Sequence, residues 1–264
     1  MGLIIYLIIT GILAGILGAI LGLGGGIIML PAIQLLLGFE PLTAVGTTLV
    51  AIVFTSISGA YGHYRAGNVL VKKAITIGAG GLIGIIVGSF VFKEYFTEDV
   101  SILTLLLGIL FFGMCIRMAY ESYKEWKIYN AKTNNDLLNK VKTNKQFLYP
   151  LFILGIVTGC LTGMLGLGGG FILVPAILWI LSLSPSVAVG TTLLAMFPIT
   201  AFGGAIKLMQ GFVDIQAAIL LGIGTIIGAQ IGVKISSFIS PLIFRLLFTV
   251  IFAYMSFVYL TSSF

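Results

Sequence analysis

Apolar stretches follow one another along this chain with little polar relief. Eight can be drawn, at 3–37, 42–62, 74–92, 100–120, 147–181, 186–206, 215–236 and 241–261. Most have the ~20 residues that one helix needs to cross a bilayer. The runs are continuous, without the alternation of a barrel strand. Two of them, 3–37 and 147–181, are much longer. Each is broken by Gly-Leu-Gly-Gly-Gly and then by a proline, Pro31 or Pro175. The pattern predicts an all-α integral membrane protein in which the first segment of each half is interrupted.

The two long stretches are copies of one another. A shift of 144 positions places Gly22 on Gly166, Pro31 on Pro175, Pro41 on Pro185 and Thr47-Thr48 on Thr191-Thr192; 24 of the 49 positions from 11 to 59 are identical. Farther on, Gly80, Gly84 and Gly88 answer to Gly224, Gly228 and Gly232. The chain therefore reads as a first transmembrane repeat at 1–120, a polar basic linker at 121–146 and a second repeat at 147–264. If each long stretch crosses once, there are eight crossings and the halves are parallel. If each crosses twice, there are ten and the halves are inverted. The sequence leaves that choice open. The glycine ladders, with small residues four apart, read as sites of close helix approach. Matching interruptions in two halves are the pointer to a secondary transporter's binding site.

Composition excludes a soluble domain: 59% of residues are hydrophobic, 8% are charged and mean hydropathy is +1.19. The net charge of +6 does not imply nucleic-acid binding, because six lysines fall in the 121–146 linker. Basic loops in a membrane protein mark the cytoplasmic side. By that rule the linker and the 63–73 loop, with Arg65, Lys72 and Lys73, are cytoplasmic. The loop with Lys93, Glu94, Glu98 and Asp99 is external. No cleavable signal is expected near Met1. Cys115 and Cys160 lie in apolar runs and read as packing residues. With a single histidine, His63, a three-histidine metal site is excluded, and no metal or cofactor is expected. Gly-x-Ser-x-Gly is absent, as are the sixth-position glycine and the lysine of nucleotide-binding loops. The sequence carries no enzyme signature.

Candidate chemistry concentrates at the breaks. Three adjacent glycines unwind a helix more readily than they pack one, since each costs about 1 kcal/mol against alanine inside a helix. Unwound backbone leaves N–H groups unpaired, and a helix that restarts there adds a positive dipole end. Together they make an anion site without a cationic side chain. The substrate-binding candidates are therefore Gly22, Gly24, Gly25, Gly26, Gly166, Gly168, Gly169 and Gly170. Thr47, Thr48, Thr191 and Thr192, in the Ala-Val-Gly-Thr-Thr runs at 44–48 and 188–192, add hydroxyls. His63 and Lys207 occupy equivalent positions and are candidates for gating or for handling charge, although both also suit helix-end residues that reach the interface. Gln34, Tyr61 and Gln210 are candidates for a polar path, and Gln230 joins them more weakly. Asp214 reads as the N-cap of the helix that follows it.

These residues resemble the sulfite exporter TauE/SafE family of membrane anion transporters. The likeness rests on Gly-Ala-Ile-Leu-Gly-Leu-Gly-Gly-Gly-Ile-Ile-Met-Leu-Pro (18–31), on Gly-Met-Leu-Gly-Leu-Gly-Gly-Gly-Phe-Ile-Leu-Val-Pro (163–175), on both Ala-Val-Gly-Thr-Thr runs and on Ser-Gly-Ala (58–60). The second half departs there, with Phe202-Gly203-Gly204. The resemblance covers nearly the whole chain apart from the linker. It implies a multi-pass inner-membrane carrier of sulfite, sulfonates or related anions, and points to the same glycines, prolines and threonines. The expected partners are a small anionic substrate and the lipid bilayer, with no nucleic acid; a homo-oligomer is left open. The alternatives are an anion channel with the same loops and, further off, an intramembrane enzyme.

Overall fold

The structure, a computed structural model, describes residues 2–95, 105, 108–109, 111–120, 122–123, 148–181, 183–236, 238 and 241–262. Among them there is no strand. Helix α1 spans Gly2–Leu21, α2 Gly26–Pro31, α3 Pro41–Arg65 and α4 Val71–Tyr95. Helix α5 spans Phe111–Tyr120. The second half supplies α6 Leu148–Leu165, α7 Gly170–Leu181, α8 Pro185–Met209, α9 Ile215–Ser236 and α10 Pro241–Ser262. Six of these helices, α1, α3, α4, α6, α8 and α9, are long and apolar enough to cross a membrane. The two long apolar stretches are each split into a long helix and a shorter one, as the glycine runs require. Nearly all of the 121–146 linker and part of the 100–120 stretch, mainly its start, lie outside the described residues.

Local sequence explains the boundaries. Pro41 and Pro185 open α3 and α8 at the first helical position, where a missing N–H costs nothing. Gly67 and Gly211, with φ of 74° and 81°, close the same two helices. In each case two backbone bonds wrap the end: Gly67 N–H donates to Tyr64 and Asn68 N–H to His63, and Gly211 donates to Leu208 and Phe212 to Lys207. That is the Schellman pattern, made possible by a glycine in the left-handed region. The prolines do less to break the chain than the sequence suggests. Pro31 ends α2, but the backbone continues as a π-helical turn, Ala32–Leu36. Pro175 lies inside α7, which runs on to Leu181. Six residues into the helix, its ring removes only one main-chain bond, and the real interruption is the glycine run ahead of it.

The chain forms two compact units, and they are not the two sequence halves. One joins Met1–Thr97 to Asn144–Ser237; the other joins Glu98–Thr143 to Phe238–Phe264. In the larger unit the halves interlock. A methyl group placed on Gly224, Gly228 or Gly232 of α9 would strike the carbonyl oxygens of Ile8, Ile12 and Ile16 of α1. A methyl on Gly80, Gly84 or Gly88 of α4 would strike those of Phe152, Ile156 and Cys160 of α6. Each half's first helix thus lies against the other half's glycine ladder, backbone to backbone, as small-residue spacing predicts. Residue numbers rise together in both contacts, so both pairs are parallel.

Helices α3 and α8, which are equivalent under the 144-residue shift, pack antiparallel. Val50 meets Gly204, Leu193 meets Gly59, and the His63 Cβ lies 2.7 Å from the position of a methyl on Gly190. Helix α3 also makes polar contacts with α9: Ser58 Oγ donates to the Ile226 carbonyl at 3.0 Å, and Gln230 Nε2 donates to the Ser58 carbonyl and hydroxyl, each at 2.8 Å. Gln230 is therefore a packing residue in this structure.

The smaller unit pairs α5 with α10 through aromatic rings. Phe111 stacks on Phe252 at 5.9 Å and Phe248 meets Phe252 edge-on at 5.3 Å. Cys115 Sγ lies 3.7 Å from the Thr249 carbonyl. Both cysteines are free.

Gly84→Ala forces a Cβ against the Ile156 carbonyl and lowers stability by about 1–3 kcal/mol, the usual cost of overpacking. Gly113→Ala, with nothing within 4 Å of the added methyl, leaves stability unchanged or slightly higher. Thermal unfolding of the purified variants in detergent checks the difference.

Candidate functional site

The two glycine runs fold alike. Gly22, Gly24 and Gly25 have φ of 72°, 70° and 82°, and Gly166, Gly168 and Gly169 have 69°, 83° and 74°. Side chains rarely adopt that region, so the glycines fit the backbone and not merely the space. Gly26 and Gly170 lie outside it and open α2 and α7. The carbonyl of Gly25 accepts from Ile28 and Met29, and that of Gly169 from Ile172 and Leu173. On the other side, Leu23 N–H returns to the Gly18 carbonyl and Gly166 N–H to the Thr162 carbonyl. The N–H groups of Gly24, Gly25, Gly168 and Gly169 take part in none of the hydrogen bonds formed among the described residues. All four glycines are buried.

The two runs meet. A methyl on Gly170 would strike the Gly22 carbonyl, and one on Gly26 would lie 2.9 Å from the Leu167 carbonyl. Methyls on Gly24 and on Gly168 would each contact the side chains of both Ile52 and Met196, with the Met196 Cε 2.7 Å from either. Ile52 and Met196 are themselves equivalent under the repeat, and both are fully buried. The structure therefore brings eight sequence-selected glycines to one place and adds two residues that sequence reasoning missed. Their only signal was their position four residues after Thr48 and Thr192. Leu23 and Leu167, between the glycines, are also buried.

The Ala-Val-Gly-Thr-Thr runs hold these loops from outside. Gly22 packs on Val189 and Gly166 on Val45, each from the other half. Gly46 and Gly190 admit the backbone of Phe212 and Asn68, the connections that precede α9 and α4. Thr47 Oγ1 accepts from the Asp214 N–H and Thr191 Oγ1 from the Leu70 N–H, both at 3.0 Å. These two threonines thus support the first turn of a helix in the opposite half. Asp214 caps α9 as expected, accepting from the Ala217 N–H at 2.9 Å. Thr48 Oγ1 donates back to the Ala44 or Val45 carbonyl, with the Gly166 carbonyl at 3.4 Å. Thr192 Oγ1 is buried with no partner.

The remaining candidates lie elsewhere. His63 is fully buried and its Nε2–H donates to the Ala19 carbonyl at 3.0 Å, leaving Nδ1 unpaired. Lys207 is fully buried as well, with Nζ 3.0 Å from the centre of the Phe92 ring. Neither side chain reaches out of the protein as a helix-end residue would. Gln210 Nε2 donates to the Ser89 carbonyl at 3.3 Å. Gln34 is half-buried in the π-helical turn. Tyr61 is 58% exposed and, with Ile57, Tyr64 and Phe197, lines an apolar surface groove of about 480 Å³; the Arg65 guanidinium stands 5.9 Å from its ring. Among the described residues, no group of three or more His, Cys, Asp or Glu is placed to hold a metal ion.

Comparison with known proteins bears on this geometry. The family model described as Sulfite exporter TauE/SafE matches residues 7–259. The chain is 31% identical over 208 residues to the probable membrane transporter protein YdhB of Bacillus subtilis, covering 78% of this chain and 80% of that one. It is 29% identical over 235 residues to a probable membrane transporter protein of Methanocaldococcus jannaschii, covering 82% and 80%. No solved structure matches it significantly.

Thr47→Val and Thr191→Val each strand a helix-opening N–H and lower stability by about 1–3 kcal/mol. Thr192→Val removes a hydroxyl that has no partner and leaves stability unchanged or higher. Unfolding midpoints of the three variants separate the capping threonines from the unpartnered one.

Proposed function

Because the chain belongs to the sulfite exporter TauE/SafE family, we propose that this membrane transporter exports sulfite, organosulfonates or related small anions across the plasma membrane. The substrate binds where the two glycine loops meet. The observation that carries this reading is the set of four buried N–H groups, on Gly24, Gly25, Gly168 and Gly169, that find no acceptor among the described residues. Buried donors of this kind are costly unless something accepts from them, and an oxyanion supplies several acceptors at once. Recognition by backbone dipoles avoids a buried cation at the binding point, so a bound anion stays mobile enough to leave.

Alternating access follows from the same arrangement. Antiparallel packing of the equivalent helices α3 and α8 supports an inverted pair of repeats. In that arrangement each long broken stretch crosses and returns, and the loops lie near the centre. The two conformations of a carrier then exchange the environments of the halves around a fixed site. The shared end at which α4 and α6 begin agrees with a cytoplasmic 63–73 loop and a cytoplasmic 121–146 linker. An anion leaving a negative-inside cell gains about 2.3 kcal/mol per charge per 100 mV, enough to drive export without a coupled ion. His63 and Lys207 flank this path as charge-handling residues, and no catalytic role is assigned.

Thermal unfolding in sulfite, thiosulfate, sulfate, taurine, sulfoacetate and acetate, at fixed pH and salt, tests the site. A ligand of the native state raises the midpoint by mass action, and one or more sulfur oxyanions do so selectively while acetate does not. Met196→Glu places a carboxylate against the same donors and abolishes both that shift and flux into liposomes. An unchanged shift in folded Met196→Glu protein would move the site away from the loops. Trans-stimulated flux identifies a carrier; its absence identifies a channel.

A further inference from the structure

The glycine loops account for neither of the two buried basic residues, and Lys207 is the more demanding of them. Its ammonium has no hydrogen-bond partner among the described residues. The Phe92 ring face beneath it offsets only part of the cost of burying a cation. Two more buried polar atoms at this contact are also unpartnered, Ser89 Oγ and Gln210 Oε1. Ser89 and Phe92 lie one turn apart on α4. Lys207 and Gln210 lie one turn apart at the end of α8. The helices run parallel here, with Ile85 against Gly203, and Gln210 bonds the Ser89 backbone, so the four residues are level with one another.

The donors and acceptors are complementary to a particular class of ligand. The ammonium and the hydroxyl donate, and the amide oxygen accepts. Together they suit an oxyanion that carries one hydrogen-bond donor, such as hydrogensulfite or a sulfonate bearing a hydroxyl or amino group.

The duplication shows that this arrangement exists once. The 144-residue shift takes Lys207 to His63, Ser89 to Val233, Phe92 to Ser236 and Gln210 to Ala66. At that twin position His63 Nε2 is already used by the Ala19 carbonyl, and Val233 packs on Gly62. All four residues differ between copies that keep every loop glycine. Antiparallel packing of α3 and α8 puts the two positions at opposite ends of the larger unit.

We propose that Lys207, Ser89 and Gln210 form a second anion subsite, separate from the glycine loops, that the substrate occupies at one end of its path only. The subsite rests on the transport reading and makes the carrier kinetically asymmetric. Its partner end, at His63, lacks the donor set and binds the same anion more weakly.

Flux of radiolabelled sulfite through the full chain in proteoliposomes of fixed orientation, measured from each face in turn, tests it. Lys207→Met raises the KM for sulfite at least tenfold from one face and changes it less than twofold from the other. Lys207→Arg restores most of the loss. Gln210→Leu and Ser89→Ala raise the KM on that same face, and they carry the comparison if Lys207→Met does not fold. A KM unchanged from both faces, or raised equally from both, overturns the subsite and leaves Lys207 a packing residue held by Phe92. A wild-type protein that carries none of sulfite, thiosulfate, sulfate, taurine or sulfoacetate from either face refutes the transport reading itself.

Discussion

The larger unit depends on contact between bare backbones. Where α1 lies on α9 and α4 lies on α6, successive glycines face successive carbonyl oxygens, and no side chain stands between them. In lipid there is little hydrophobic gain from bringing one apolar helix to another, so association rests on close van der Waals packing and on weak backbone contacts. Glycine every fourth residue supplies both along a full helix. The arrangement ties the halves together crosswise, and it holds the ends of the broken stretches in place while their middles are unwound. Without that frame, the unpaired donors of the glycine loops would have no protein around them to make their place in the membrane tolerable.

The same logic explains how much could be read in advance. Helices stood out because a membrane demands about twenty apolar residues at a time, and the 215–236 stretch coincides with α9. The breaks were legible because no helix tolerates Gly-Leu-Gly-Gly-Gly quietly. The ladders were legible as packing, although their partners were not: nothing in the sequence says that Gly224 meets Ile8. Asp214 was recognisable as a cap from its type and place. The threonines divided in a way the sequence did not suggest. Thr47 and Thr191 support the opposite half, while Thr48 and Thr192 differ despite being identical residues, because only Thr48 finds acceptors. Ile52 and Met196 were invisible, since an apolar residue in an apolar helix carries no signal until its neighbours are known. The burial of His63 and Lys207 was likewise a tertiary fact: His63 lies against Ala19 of α1, and Lys207 against the Phe92 ring of α4.

The duplication is kept strictly where the two copies do the same work and relaxed where they do not. The loops, which face each other, must match, because each half supplies the packing surface of the other. At the ends of α3 and α8 the copies keep the same opening proline and closing glycine, yet His63 and Lys207, and the residues around them, differ in chemistry. Symmetry thus extends over the backbone frame, while single side chains such as those at positions 63 and 207 depart from it.

Interlocking also has a consequence for biosynthesis. Helix α1 leaves the ribosome early, yet the surface that covers its glycines belongs to α9, roughly two hundred residues later. Until then the first repeat sits in the membrane as a set of helices whose best contacts have not been made. Contacts so distant in sequence slow assembly. Neither repeat is a self-sufficient folding unit, and a chain cut within the linker remains functional only if both pieces meet in the same bilayer.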